Sequence, residues 1–249
     1  MTRVKICGCM RIEDVLAAKD AGADFVGLMF APSSGRRISI EEAQALVEAA
    51  GSPLRELGQS EPPPLHHGAA NDAAAWFTEG AKALERLLAR KRPLTVGVFE
   101  SQPMEEVNEI ADEAGLDLIQ LSGHESWADC LLANRQVIKT VELPPDGQAE
   151  QVLAALEPGF AIACLLDPSC GRGVETDPDL AAAVAARVPV WLAGGLSPEN
   201  VVAVIRHVRP WAVDVSSGVE TNGAKDLEKI RAFVEAAKGA ISSTAGRSA

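Results

Sequence analysis

Short apolar runs rich in β-branched residues alternate with longer, alanine-rich stretches whose apolar positions recur at helical spacing. The short runs predict strands at Arg3 to Cys7, Asp24 to Phe30, Leu94 to Phe99, Asp117 to Leu121, Gln136 to Val141, Ala161 to Leu166, Val190 to Ala193 and Trp211 to Val215. The spacing predicts a helix after each, near residues 12–21, 40–50, 103–114, 125–134, 147–156, 178–187, 198–207 and 224–238. Several of these open on residues that suit a helix N-terminus, as in Ser39-Ile40-Glu41-Glu42 and Ser197-Pro198-Glu199. Strict alternation of strand and helix is the mark of a parallel sheet built from βα units. Eight such units close most naturally as an α/β fold of the single (β/α)8 TIM-barrel type, and a doubly wound open sheet is the alternative the alternation allows.

One segment breaks the rhythm. Residues 55–92 separate the second helix from the third strand and begin with a Pro- and His-containing stretch, Glu61-Pro62-Pro63-Pro64-Leu65-His66-His67, that lacks periodic apolar positions. It reads as a flexible loop, with His66 and His67 as solvated loop residues. Ala73 to Arg90 regains helical spacing through Trp76, Phe77, Leu84, Leu87 and Leu88, which predicts an extra helix. Residues 1–240 are therefore read as one barrel domain carrying 55–92 as an insertion, and 241–249 as a frayed tail.

Composition narrows the function classes. With 47% hydrophobic and 23% charged residues over 249 positions, the chain can build a large core and stay soluble. A net charge of −12 argues against binding nucleic acid or an anionic membrane through phosphate neutralisation, so any phosphate must be gripped locally. No apolar run is long enough to cross a bilayer, and the chain opens directly on a strand-like segment without an export pattern, which predicts a cytoplasmic protein. Five cysteines at irregular positions suit reduced thiols. Cys7-Gly8-Cys9, without a second ligand pair, does not suggest zinc, so no metal is expected.

In a barrel the residues that close each strand face the active site. Strand one ends Lys5-Ile6-Cys7, and side-chain alternation puts Lys5 and Cys7 on one face, so that Cys7 reaches the rim beside a cation able to lower its pKa. Strand six ends on Asp167, where burial would favour the protonated acid. Strand seven ends Ala193-Gly194-Gly195-Leu196 and strand eight Asp214-Val215-Ser216-Ser217-Gly218. Both turns are small and rich in hydrogen-bond donors, and together they suit one phosphate. The loop after strand two carries Arg36 and Arg37, and a guanidinium pairs bidentately with a carboxylate.

Taken in order, Val4-Lys5-Ile6-Cys7-Gly8, Phe30-Ala31-Pro32-Ser33-Ser34, Arg36-Arg37-Ile38-Ser39, Val96-Gly97-Val98-Phe99, Leu165-Leu166-Asp167, Ala193-Gly194-Gly195-Leu196 and Val213-Asp214-Val215-Ser216-Ser217-Gly218-Val219-Glu220 resemble the phosphoribosylanthranilate isomerase family of tryptophan biosynthesis. The resemblance covers nearly the whole chain outside the insertion and tail. It implies conversion of N-(5-phosphoribosyl)anthranilate to 1-(2-carboxyphenylamino)-1-deoxyribulose 5-phosphate by an Amadori rearrangement, without a cofactor, by a monomer or homodimer. It further implies Cys7 as general base, Asp167 as general acid and Arg36 as clamp on the anthranilate carboxylate. Gly194, Gly195, Ser216, Ser217 and Gly218 would then hold the phosphate, with Asp214 also at the substrate. Strand parity turns Lys5 and Asp214 inward together, and the two are expected to form an ion pair that orients the site. Where the family has Gln-Leu-His-Gly, this chain reads Gln120-Leu121-Ser122-Gly123-His124, which leaves His124 as the imidazole able to stand in.

Other readings are weaker on the residues. An isomerase of histidine biosynthesis would open with an Asp where this chain has Cys7, and indole-glycerol-phosphate synthase would need Lys and Glu residues at strand ends that are not found. A non-catalytic barrel using Trp76 and Phe77 as anchors for a partner protein is the reading from another class.

Overall fold

In the computed structural model, which describes residues 1–57, 71–143, 147–168 and 177–240, the parallel strands β1 to β8 close into a barrel in chain order. They are β1 Arg3–Cys7, β2 Phe25–Met29, β3 Leu94–Phe99, β4 Leu118–Leu121, β5 Val137–Glu142, β6 Ala163–Asp167, β7 Trp191–Leu192 and β8 Ala212–Val215. Closure is explicit at β1: Lys5 stands opposite Phe25 of β2 on one side and Asp214 of β8 on the other. The open-sheet alternative is thereby ruled out. Residues 58–70 of the predicted insertion, with His66 and His67, the loop with Cys170 and the predicted tail lie outside the described residues.

Around the barrel run α1 Ile12–Asp20, α2 Ile40–Ala50, α3 Ala73–Leu88, α4 Met104–Ala114, α5 Ala149–Ala154, α6 Pro178–Ala185, α7 Val201–Val208 and α8 Leu227–Gly239. Several starts are capped by side chains, but the one read at Ser197-Pro198-Glu199 is a turn: α7 begins at Val201, and its N-cap Asn200 makes no side-chain cap bond. Ser39 and Glu42 satisfy each other's backbone amides in a capping box, and Asp177 and Asp226 each accept from two amides of the following first turn. Between β4 and β5 the predicted helix 125–134 is replaced by a single 3-10 turn, Ala128–Leu132. That segment has no apolar stripe to bury: Leu131 and Leu132 are 64% and 61% exposed, and Cys130 alone in the turn is buried.

The extra helix α3 forms as predicted, and its place explains its composition. Leu84, Leu87 and Leu88 join Phe25, Leu94, Leu118, Ile138 and Trp191, residues at the N-terminal ends of the strands, in one cluster that closes the barrel floor. Trp76 and Phe77 instead join Leu143, Val152, Leu156 and Leu166 beside α5, and the Trp76 indole donates to the Ala161 carbonyl at 2.7 Å. Both aromatics are buried, so they are core residues and not anchors for a partner. Burying side chains of this size stabilises by about 1.5–3 kcal/mol each. Gly80 lets α3 approach: a Cβ there would stand 2.0 Å from the Ile162 carbonyl oxygen.

Candidate active site

Side chains of β1 alternate as the sequence requires. Val4 and Ile6 pack outward into the core against the helices, while Lys5 and Cys7 point to the axis. Cys7 stands in register with Gly27 of β2, whose missing side chain leaves room for the thiol. Asp167 closes β6, and Asp214 occupies the inward position of β8.

Cys7, Arg36, Asp167, Gly194, Gly195, Asp214, Ser216, Ser217 and Gly218 all line one cavity of about 680 Å³ at the C-terminal ends of the strands, within the range of small-molecule sites. Every residue predicted for the site is therefore brought to one place. His124 is not: it is exposed on the turn after β4, where its backbone amide donates to Ser101 Oγ at 3.0 Å. Gly123 N and Ser101 N both donate to Glu125, at 2.8 and 2.6 Å, which carries this turn away from the cavity. Ser122 lines the cavity in its stead.

Beneath the thiol lies a polar layer. Lys5 Nζ donates to Asp214 Oδ2 and to Gln120 Oε1, each at 2.8 Å. Gln120 Nε2 donates in turn to Ser122 Oγ at 2.9 Å, and the Ser122 and Thr140 hydroxyls bond at 2.9 Å. Asp214 Oδ1 is buried and has no hydrogen-bond partner among the described residues. Burial pushes the Asp214 carboxyl above its ordinary range despite Lys5. Burial would depress Lys5, but Asp214 and Cys7 together, through their charges and hydrogen bonds, more than offset this and raise it.

The expected lowering of the Cys7 thiol is not found. Burial raises its pKa, and Lys5 offsets only part of that because Asp214 opposes it. A cation already paired to a carboxylate offers a neighbour little net field.

Gly194 and Gly195 take positive φ values of 98° and 65° at the end of β7, conformations that glycine adopts without strain. Asn200 fixes this turn, accepting from Ser197 N and donating to the Gly195 carbonyl, both at 2.8 Å. The turn after β8 touches it: a Cβ at Gly218 would be 1.8 Å from the Leu196 carbonyl oxygen. The two turns thus abut as one small-residue surface.

On the other side of Cys7, Arg36 lays Nε and Nη2 against Glu220 at 2.7 and 2.9 Å. Glu220 and its second partner, Lys225, were not found by sequence reasoning. Glu220 ends the last matched motif, but nothing local pairs it with a residue so distant in sequence. Among the described residues no cluster of His, Cys, Asp and Glu suits a metal ion, and no helix is long and apolar enough to cross a membrane.

The model of the N-(5'-phosphoribosyl)anthranilate isomerase family matches residues 65–236 of the chain. The N-(5'-phosphoribosyl)anthranilate isomerase of Dehalococcoides mccartyi is 36% identical, over 96% of this chain and 97% of that one. A multifunctional tryptophan biosynthesis protein of Phycomyces blakesleeanus is 40% identical over 95% of this chain, which spans 32% of that longer protein. Among solved structures, a phosphoribosyl anthranilate isomerase in complex with reduced 1-(o-carboxyphenylamino)-1-deoxyribulose 5-phosphate superposes with a TM-score of 0.70, at 32% identity over 96% of this chain and all of that one.

Proposed function

The chain belongs to the N-(5'-phosphoribosyl)anthranilate isomerase family, and from that premise we propose that it converts N-(5-phosphoribosyl)anthranilate to 1-(2-carboxyphenylamino)-1-deoxyribulose 5-phosphate in tryptophan biosynthesis, with Cys7 as base and Asp167 as acid. The observation that carries the assignment of roles is that Cys7 and Asp167, on strands β1 and β6, share one cavity with a guanidinium and two abutting glycine–serine turns.

The reaction needs a proton on the ring oxygen and removal of the proton on C2′. Asp167 protonates the furanose oxygen as the C1′–O bond breaks, leaving an iminium conjugated to the aromatic ring. The cationic nitrogen acidifies the C2′–H bond, so a thiolate suffices to take that proton and form the enolamine. Cys7 then returns its proton to C1′ while the C2′ hydroxyl gives up its own to the Asp167 carboxylate, which leaves the ketone and restores both groups. Substrate and product are isomers, so no redox partner enters the balance. The abutting turns hold the phosphate through backbone amides and serine hydroxyls. Asp214, with a buried oxygen lacking a partner among the described residues, accepts from a sugar hydroxyl.

These groups all come from one chain, which supports action as a monomer or a homodimer. Cys7, Cys9, Cys130 and Cys164 are buried free thiols, which suits a reducing, cytoplasmic location. We take residues 1–240 as one catalytic unit. The decisive assay follows the fluorescence of freshly made phosphoribosylanthranilate: purified enzyme should quench it. Cys7→Ala and Asp167→Asn should each lower kcat by about 100-fold or more, as loss of a general base or acid does. A near-normal rate in either variant removes the role given to that residue.

A further inference from the structure

Glu220 sits between two cations, and the arrangement leaves Arg36 with one edge committed and one edge open. The side-on edge of the guanidinium, Nε and Nη2, is taken up by the two Glu220 oxygens. The end-on edge, made of Nη1 and the second hydrogen of Nη2, takes no hydrogen-bond partner among the described residues and can serve another ligand, since a guanidinium carries five donors in a fixed plane. The stem of Arg36 lies over Gly8, where a Cβ would come within 2.7 Å of its Cδ. The stem therefore packs over the turn that follows Cys7.

Lys225 completes the arrangement. It is the cross-strand partner of Glu220 in the hairpin of β9 (Glu220–Thr221) and β10 (Ala224–Lys225). Its Nζ donates to Glu220 Oε1 at 2.6 Å, to the Ser216 carbonyl at 3.0 Å and to Ser216 Oγ at 3.3 Å. Ser216 Oγ donates to the Cys7 carbonyl at 3.1 Å. A continuous chain of bonds thus runs from Arg36 through Glu220, Lys225 and Ser216 to the backbone of Cys7. Two cations share one carboxylate, so the group keeps one positive charge, which a ligand carboxylate at the open edge of Arg36 would neutralise. The side chains of Glu220 and Lys225 are 8% and 2% exposed, so water supplies little screening.

We propose that Glu220 and Lys225 are positioning residues that aim Arg36 at a substrate carboxylate, and so set the preference for an anthranilate-bearing sugar phosphate. The inference rests on Arg36 as the carboxylate clamp. Two substrates separate an aiming role from a merely structural one: phosphoribosylanthranilate, and the amine made from ribose 5-phosphate and aniline, which lacks the carboxylate. Glu220→Gln removes the charge. Glu220→Asp keeps the charge but withdraws the fork by about 1.5 Å, which guards against loss of folding.

Both variants, and Lys225→Met, should lower kcat/KM for phosphoribosylanthranilate by about 10- to 100-fold, the range for disturbing a charge-assisted bond, mostly through KM. For the aniline substrate the loss should stay below about threefold in the two Glu220 variants, and in Lys225→Met, whose Nζ also holds Ser216, it should be larger than that but smaller than the loss on phosphoribosylanthranilate. Equal losses on the two substrates, or none on the first, would overturn the proposal. Arg36→Ala is the control. If it alone discriminates between the substrates while the Glu220 and Lys225 variants do not, the positioning role is wrong and the clamp stands. If Arg36→Ala does not discriminate, the clamp itself is wrong.

Discussion

Gly27 offers the sharpest test of the placement of the base. A methyl group added there would stand 2.8 Å from Cys7 Sγ, 3.0 Å from Cys7 Cα and 3.1 Å from Lys5 Cε. Comfortable carbon contacts are about 3.5–4.0 Å, so these separations must open by about 0.5–1 Å. Little around them yields. Lys5 is tied at Nζ to Asp214 and Gln120, both at 2.8 Å, and Cys7 is strand backbone paired in register with Gly27 itself. The thiol must turn away, or β1 and β2 must part. Overpacking of this kind costs about 1–3 kcal/mol, which for a chain of this size lowers Tm by about 2–12 °C. A catalytic group displaced by about 1 Å costs on the order of 100-fold in rate. Gly27→Ala should therefore remain folded at 25 °C by circular dichroism, melt earlier, and isomerise phosphoribosylanthranilate about 100-fold more slowly in the fluorescence assay. A folded variant with kcat within about threefold of wild type would show that the thiol beside Gly27 is not the base.

The raised thiol pKa gives a pH prediction with a definite sign. A base works only when deprotonated, so in Asp167→Asn, where the acid no longer titrates, the residual kcat/KM should climb with pH, close to tenfold per unit, between about pH 6.5 and 8.5; a flat profile in that variant contradicts Cys7 as the base of the free enzyme. Lys5→Met removes the cation from a buried carboxylate and should destabilise by about 3–5 kcal/mol near pH 8 in urea melts. The Asp214 carboxyl is already raised by burial and rises further without Lys5, so what it contributes is retained at low pH and lost as pH rises through its folded value. The gap between variant and wild type should accordingly be smaller at pH 5 than at pH 8, and a constant gap refutes the coupling. Trp76→Ala, in the core beside α5, should cost about 3–5 kcal/mol in the same melts yet leave kcat at 25 °C unchanged; a lost rate in the folded variant would mean that α3 shapes the cavity.

What could be read from the sequence was whatever depends on neighbours in the chain. Period-two alternation put Lys5 and Cys7 inward on β1 and Asp214 inward on β8, and the structure pairs Lys5 with Asp214 at 2.8 Å. Strand β1 and helix α2 fall at their predicted bounds because sharp apolar runs and a capping box mark them. Readings that depend on how deeply a group is buried failed. The lowering expected for the Cys7 thiol weighed the nearby Lys5 but not the loss of water around the thiol, which outweighs it. Arg36 and Glu220 are separated by 184 residues, so the fork between them leaves no trace in either local pattern. The predicted helix 125–134 failed for a further reason: residues with adequate helix propensity still need a surface to cover, and Leu131 and Leu132 have none.

The barrel also separates stability from chemistry by height along its axis, and the middle layer shows where one yields to the other. At the floor Phe25, Leu94, Ile138 and Trp191 pack against α3. One layer up, where barrels ordinarily carry branched apolar side chains, β1, β4, β5 and β8 contribute Lys5, Gln120, Thr140 and Asp214, all buried. An apolar layer of the same volume would be as stable or more so, because the Coulombic gain of a buried ion pair seldom exceeds the cost of removing both charges from water. Packing therefore does not account for this layer. Its hydrogen bonds run directly under the cavity floor, and the one oxygen they leave without a protein partner among the described residues, Asp214 Oδ1, belongs to a residue that lines the cavity with Cys7 and Asp167. A layer that gives up packing energy in order to hold charge beneath a thiol and beside an acid makes physical sense only when a polar substrate supplies the missing partner.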